Sequence, residues 1–249
     1  MKPWILIMLS MVCLGGCKEN LNAEVLLNLM ESADPSELKQ IVINGKAQSE
    51  RIDSISLILL STIALKDKDF LNAELFMIKA LARAGVDREV YPPVNSGGDS
   101  PLLPLMAMRQ NLAFAIQQGP QKSADEYQLL VDSFDQWQPI CNSSYNPGWE
   151  YSGKPDFEYC KKQFSEVISN NVIKMNERAV YYHNPEYHSL FKEWQKLLMA
   201  GVYSNPDEPN EKLMELQIKL VNIESELGVK GDVTKYVETA KLYDNESAR

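Results

Sequence analysis

The residues able to do acid–base, nucleophilic or metal chemistry are thinly spread along this chain. It has two histidines, His183 and His188, on either side of Asn184-Pro185. Metal ligands on one helical face recur every three or four residues, whereas these are five apart across a proline break. A zinc or iron site would also need Glu177 or Glu186 to converge on them. Packing of both rings at a helix junction is the expectation. No Gly-x-Ser-x-Gly elbow marks a serine nucleophile, and Gly97-Gly98 lacks a phosphate-loop continuation. Asp132, Asp135, Glu150, Asp156 and Glu158 fall near one another, and paired carboxylates can cleave glycosidic bonds. A chain with 34 acidic residues supplies such pairs by chance. These patterns assign no catalytic residue, metal or cofactor.

The densest functional signal is aromatic. Trp137, Tyr145, Trp149, Tyr151, Phe157 and Tyr159 crowd a segment whose core, from Asn142 to Pro155, is rich in turn formers and has no helical period. Tyrosine and tryptophan bring large rigid area with a polar handle, which makes these six a candidate protein interface. The same rings would equally serve as a small local core packing the loop onto its neighbouring helices.

The start of the chain carries a different kind of chemistry. Lys2 precedes an apolar run from Trp4 to Leu14. A helix of that length reaches about 16 Å, roughly half the hydrocarbon core of a bilayer. The run suits the apolar region of a secretory signal and ends in Leu14-Gly15-Gly16-Cys17. This segment resembles a bacterial lipoprotein precursor, with Gly15 where many members carry Ala or Ser. The resemblance implies removal of residues 1–16 and acylation of Cys17, with several chains giving a stable anchor. Lys18, rather than Asp, follows the cysteine, which implies an outer-membrane position facing the periplasm. Loss of Lys2 takes the formal charge from −9 to −10. So acidic a chain leaves anchoring to the lipid. Cys13 departs with the signal, and Cys141 and Cys160 remain as an even pair in an oxidising compartment. They are expected to form a disulfide closing a loop of about 20 residues, worth roughly 3 kcal/mol. Neither a CxxC motif nor enough nearby soft ligands favours redox or zinc chemistry for them.

Helices must position all of this. Apolar spacing is helical nearly throughout, with no convincing two-residue alternation. Asp34-Pro35-Ser36-Glu37 has the form of a capped helix start. That helix is expected to end by Gly45, followed by a strongly apolar helix over 48–65 and another from Phe70 to near Gly85. The latter two resemble a tetratricopeptide hairpin at Asp69-Phe70, Ala73 and Ala80-Leu81, with Met77 where that family carries a larger aromatic. The likeness spans about 30 residues and has no second copy, whereas a solenoid needs three or more repeats. Tyr91 to Pro104 is a Pro- and Gly-rich loop where a domain boundary could fall. Further helices are expected over 105–118, 121–137, 157–182, 186–199, 210–227 and 233–243, with breaks at Asn184-Pro185 and Asn205-Pro206. The fold class is all-α, with nine or ten helices in antiparallel hairpins and one disulfide-closed irregular loop. Residues 1–16 form the signal, 17–24 a lipidated tether and 25–249 a helical periplasmic domain.

Composition excludes some functions. The chain has 249 residues, 45% hydrophobic and 24% charged, as a folded domain requires. Its mean hydropathy of −0.29 excludes a multispanning membrane protein. Its acidic balance disfavours nucleic acid as a partner. The expected function is non-enzymatic: a lipid-anchored protein-binding module of the envelope. It would be a scaffold or adaptor for envelope enzymes, or an immunity lipoprotein that neutralises a secreted effector, and acidity would suit a basic effector cleft. The alternative is an envelope hydrolase acting on peptidoglycan or phospholipid.

Overall fold

The computed structural model describes residues 21–94, 103–201 and 211–247. The signal segment 1–16, Cys17 with Lys18, Gly97-Gly98 and Asn205-Pro206 lie outside the described residues. The described residues form ten helices and no strands. In chain order these are α1 (Ala23–Ser32), α2 (Pro35–Gln48), α3 (Ser54–Lys66), α4 (Phe70–Val90), α5 (Leu103–Gln117), α6 (Ala124–Asp135), α7 (Phe157–Tyr182), α8 (Pro185–Gly201), α9 (Glu211–Glu226) and α10 (Asp232–Ser247). None is long and apolar enough to cross a membrane.

The antiparallel pair α3–α4 is the centre. α3 is apolar on every side, as a helix surrounded by others must be, and Leu57, Ile58, Leu60, Ile63 and Ala64 are fully buried. Ala73 and Ala80 of α4 are fully buried too. Across the tight contact, Ser61 Oγ donates to the Ala73 carbonyl at 2.7 Å. Helices α1, α2 and α5 pack on α3, while α6 and α7 pack on α4. The start of α2 has the expected cap: Asp34 accepts from the Ser36 and Glu37 amides, and Glu37 accepts from the Asp34 amide.

Two glycines expected to end helices do not. α2 continues past Gly45 to Gln48, because this glycine admits a close neighbour. A Cβ there would lie 2.7 Å from Leu60 Cδ2. α4 continues past Gly85 to Val90, because burial of Val86, Asp87 and Val90 outweighs the roughly 1 kcal/mol that one helical glycine costs.

The apolar core has two parts. The larger joins α1 to α7, while the smaller joins Tyr187, Phe191 and Trp194 of α8 with Leu216 and Leu220 of α9, Val233 of α10 and Tyr181 at the end of α7. The 91–104 loop therefore does not divide the core, since α5 beyond it packs back on α3 and α4. The division falls where α7 meets α8. With 26 residues, α7 runs about 39 Å. Its first turn holds Cys160, and its last turn meets the smaller core.

Candidate functional site: the stapled loop and the charged face of α4

Segment 136–156 leaves α6, wanders without regular structure and re-enters the helical body at α7. Cys141 and Cys160 are disulfide-bonded, with Cα atoms 5.9 Å apart, a normal bridging separation. Asp156 caps α7 by accepting from the amides of Glu158 and Tyr159 at 3.1 and 3.0 Å. Gly148 turns the chain at φ +87°, a region side chains resist, and its backbone lies against Asp53. The loop's amides of Ile140 and Ser152 donate to the carbonyls of Glu50 and Pro92, each at 2.9 Å, and the Val94 amide donates to the Glu150 carbonyl at 3.2 Å.

Beneath the loop, α4 turns three charged residues inward. Lys79, Arg83 and Asp87 follow one another at intervals of four, and none is more than 4% exposed. Lys79 Nζ donates to Ser49 Oγ at 3.0 Å and lies 5.5 Å from the Trp137 ring. Burial, reinforced by Lys46, lowers its pKa to about 8. The Arg83 guanidinium donates to the Glu50 carbonyl at 2.6 Å and lies 3.7 Å from Asp87 Oδ1. Three rings enclose it: Tyr145 at 4.2 Å, Phe164 at 5.2 Å and Trp137 at 5.6 Å. Cation–ring attraction compensates for part of the hydration that Arg83 has given up. The Tyr145 hydroxyl donates to Asp87. Burial, with Asp53 adding to it, pushes the Asp87 pKa up to about 7 against the opposing pull of Arg83 and Tyr145. Burial also raises Tyr145 well above the usual phenol range.

These contacts correct part of the expected interface. Trp137 and Tyr145 are only 3% and 6% exposed, and they are the inward pins of the loop. Trp137 Nε1 donates to the Ser49 carbonyl at 3.2 Å. Rings that cover buried charges cannot also meet a partner. Trp149 and Phe157 are half-buried, and Trp149 Nε1 donates to the Tyr91 carbonyl at 2.9 Å. Tyr151 and Tyr159 alone of the six are exposed, at 37% and 40%. Tyr151 stacks edge-on against Tyr91, and the Tyr159 hydroxyl donates to Glu89 at 2.7 Å. The expected interface thus splits into a local core and a surface rim.

Three of the five carboxylates near the loop are engaged locally. Asp132 accepts from Gln128, Asp156 caps α7, and Glu158 pairs with Lys161 at 2.6 Å. His183 and His188 pack edge-on against Tyr182 at the α7–α8 junction. Burial, with Lys192, Lys122 and Arg178 nearby, lowers the His188 pKa to about 4. Among the described residues no three of His, Cys, Asp and Glu gather as a metal site would require.

Sequence reasoning missed Lys79, Arg83 and Asp87, since charges at a spacing of four normally mark a solvated face. The available signal was their company: Ala80, Ala82, Ala84 and Val86 occupy the positions between them. It also missed Glu224, fully buried in α9. There Oε1 accepts from the Tyr187 hydroxyl at 2.6 Å and the Val233 amide at 3.0 Å, while Oε2 accepts from Thr234 at 2.9 Å. One carboxylate thereby ties α8 and α9 to the first turn of α10. Nearby, Arg178 of α7 bridges Glu74 of α4 and Asp232 of α10, each at 3.5 Å. Compared with models of known families, with curated proteins and with solved structures, the chain has no match.

Proposed function

We propose that the mature chain is a lipid-anchored protein-binding module of the cell envelope, held through acylated Cys17 in the outer membrane and facing the periplasm. Its partner is a protein with a basic surface, either an envelope enzyme that it scaffolds or a secreted effector that it neutralises. The observation that supports this reading is the pair Tyr151 and Tyr159, exposed on the stapled loop and on the first turn of α7 that the disulfide ties to it. Aromatic area that is already ordered loses little conformational freedom on binding. The formal charge of −9 for the whole chain favours encounter with a basic partner.

The test is site-specific photo-crosslinking from position 151 in intact cells, followed by identification of the linked protein. Tyr159→Ala should weaken capture while leaving the melting curve unchanged. Crosslinks that survive this change and appear equally from a probe on α9 would overturn the reading. The two roles separate genetically. If the linked protein is a delivered effector, a strain lacking this chain should die under attack, and equal survival would exclude immunity.

A further inference from the structure

We infer that the face carrying Asn22, Glu24, Arg51, Asp53, Ser144 and Asn146 lies against the phospholipid headgroups, so that the stapled end is the membrane-proximal end. This rests on acylation at Cys17. Leu21 is 6% exposed and belongs to the larger core, where it lines a groove with Ile52, Ile55 and Ile140. Only Lys18, Glu19 and Asn20 separate this anchored leucine from Cys17. Four residue steps span at most about 14 Å even when fully extended. The acyl chains must enter the bilayer at Cys17, so Leu21 and its surroundings lie within that distance of the headgroup layer.

The groove of about 530 Å³ beside Leu21 joins the start of α1, the turn before α3 and residues 144–148 of the stapled loop. Its chemistry fits a headgroup layer. The six named residues are polar, and their charges, Arg51 against Glu24 and Asp53, sum to only −1. Zwitterionic headgroups offer hydrogen bonds to such a surface with little repulsion, whereas the rest of the chain would be repelled by anionic lipid. The far end is set by α7: from Cys160 to Tyr181 the helix rises about 30 Å. The proposal places the smaller core, at the other end of that rise, farther from the headgroups. For the proposed partner, contact at Tyr151 and Tyr159 takes place close to the bilayer, which selects a protein that reaches the membrane surface.

The experiment uses the full lipidated chain in vesicles of phosphatidylethanolamine and phosphatidylglycerol containing a headgroup nitroxide lipid. Fluorophores are attached at Glu24→Cys, beside the groove, and separately at Lys235→Cys, an exposed position on α10. Mass measurement first checks the acyl chains and the intact Cys141–Cys160 bridge. Quenching should be several-fold stronger at position 24 than at position 235. A Gly/Ser spacer of about 12 residues inserted after Lys18 adds roughly 20 Å of reach and should abolish the difference. Equal quenching in a lipidated chain without the spacer overturns the orientation and leaves the anchoring reading standing, whereas a difference that survives the spacer upholds the orientation and overturns the short tether as its cause. A mature chain without acyl mass overturns the anchoring reading, and the orientation with it.

Discussion

The two ends of α7 fasten neighbouring chain by opposite means. At its start, an irregular loop is held by a covalent bridge, by backbone bonds to Glu50 and Pro92, and by aromatic rings laid over buried charges. At its finish, three helices are gathered around Glu224, whose two oxygens accept three hydrogen bonds. The first arrangement tolerates an incompletely satisfied ion pair, since Asp87 Oδ1 lies 3.7 Å from Arg83 and makes no hydrogen bond with another described residue. The second satisfies its carboxylate and needs no bridge. A disulfide stabilises by restricting the unfolded chain, so it suits a segment with little regular structure to contribute. A buried carboxylate acts in the folded state and suits helices already formed.

The sharpest way to break this comparison is to empty the guanidinium cage. Arg83→Ala leaves Asp87 buried without its cation and takes one of two donors from the Glu50 carbonyl, which keeps the Ile140 amide. Removing one partner of a buried pair costs about 3–5 kcal/mol, and urea unfolding should register a loss of that size. A loss below about 1 kcal/mol would mean that the rings, and not the ion pair, hold the loop. Removing the bridge is next: Cys141→Ser with Cys160→Ser should cost about 3 kcal/mol. The loss should be local, with amide exchange accelerating over 140–156 and unchanged in α8–α10. Faster exchange in both regions would show that the two ends are one cooperative unit.

Much of the helical frame was legible because its signals are local. Asp34 and Glu37 lie three residues apart, and the run Leu57-Ile58-Leu59-Leu60 in α3 requires burial whatever surrounds it. The bridge and the turn-rich loop were legible for similar reasons. The inward charges were not, because their partners are distant in sequence: Lys79 finds Ser49 30 residues away, Arg83 finds Glu50 33 away and Asp87 finds Tyr145 58 away. Their period alone indicated a solvated face. Gly45 was misread for the same reason, since its role depends on Leu60 in the next helix. The six aromatics could not be sorted from sequence, because Trp137 and Tyr145 turn in against Lys79 and Arg83, more than fifty residues away.

At the other end of α7, Glu224→Gln keeps the shape but replaces one acceptor with a donor facing an amide. It should cost about 1–3 kcal/mol, less than Arg83→Ala. Amide exchange should accelerate first at Val233 and Thr234, while the stapled loop stays protected. If the loop opens instead, the smaller core is not independently fastened.

In the pH dependence the two ends oppose each other. Between pH 3.8 and about 7 the folded chain holds a proton on Asp87 that the unfolded chain has released. Stability falls with rising pH wherever the folded state binds more protons, so Asp87 contributes a falling limb across that window. His188 does the reverse. Between pH 4 and 6.5 the unfolded chain holds a proton on this residue that the folded chain has released, because burial, with Lys192, Lys122 and Arg178 close by, disfavours the cation. Its contribution therefore rises with pH and is complete above 6.5. Asp87→Asn removes the falling limb, so its stability relative to the parent should climb from pH 4 to 7. His188→Gln removes the rising one, and its relative stability should decline from pH 4 to 6.5, by the lesser amount. Urea midpoints at half-unit pH intervals distinguish these slopes from the constant offset that each substitution also introduces. Curves parallel to the parent in both variants would show that neither group titrates in that window, and that the two ends differ in fastening alone.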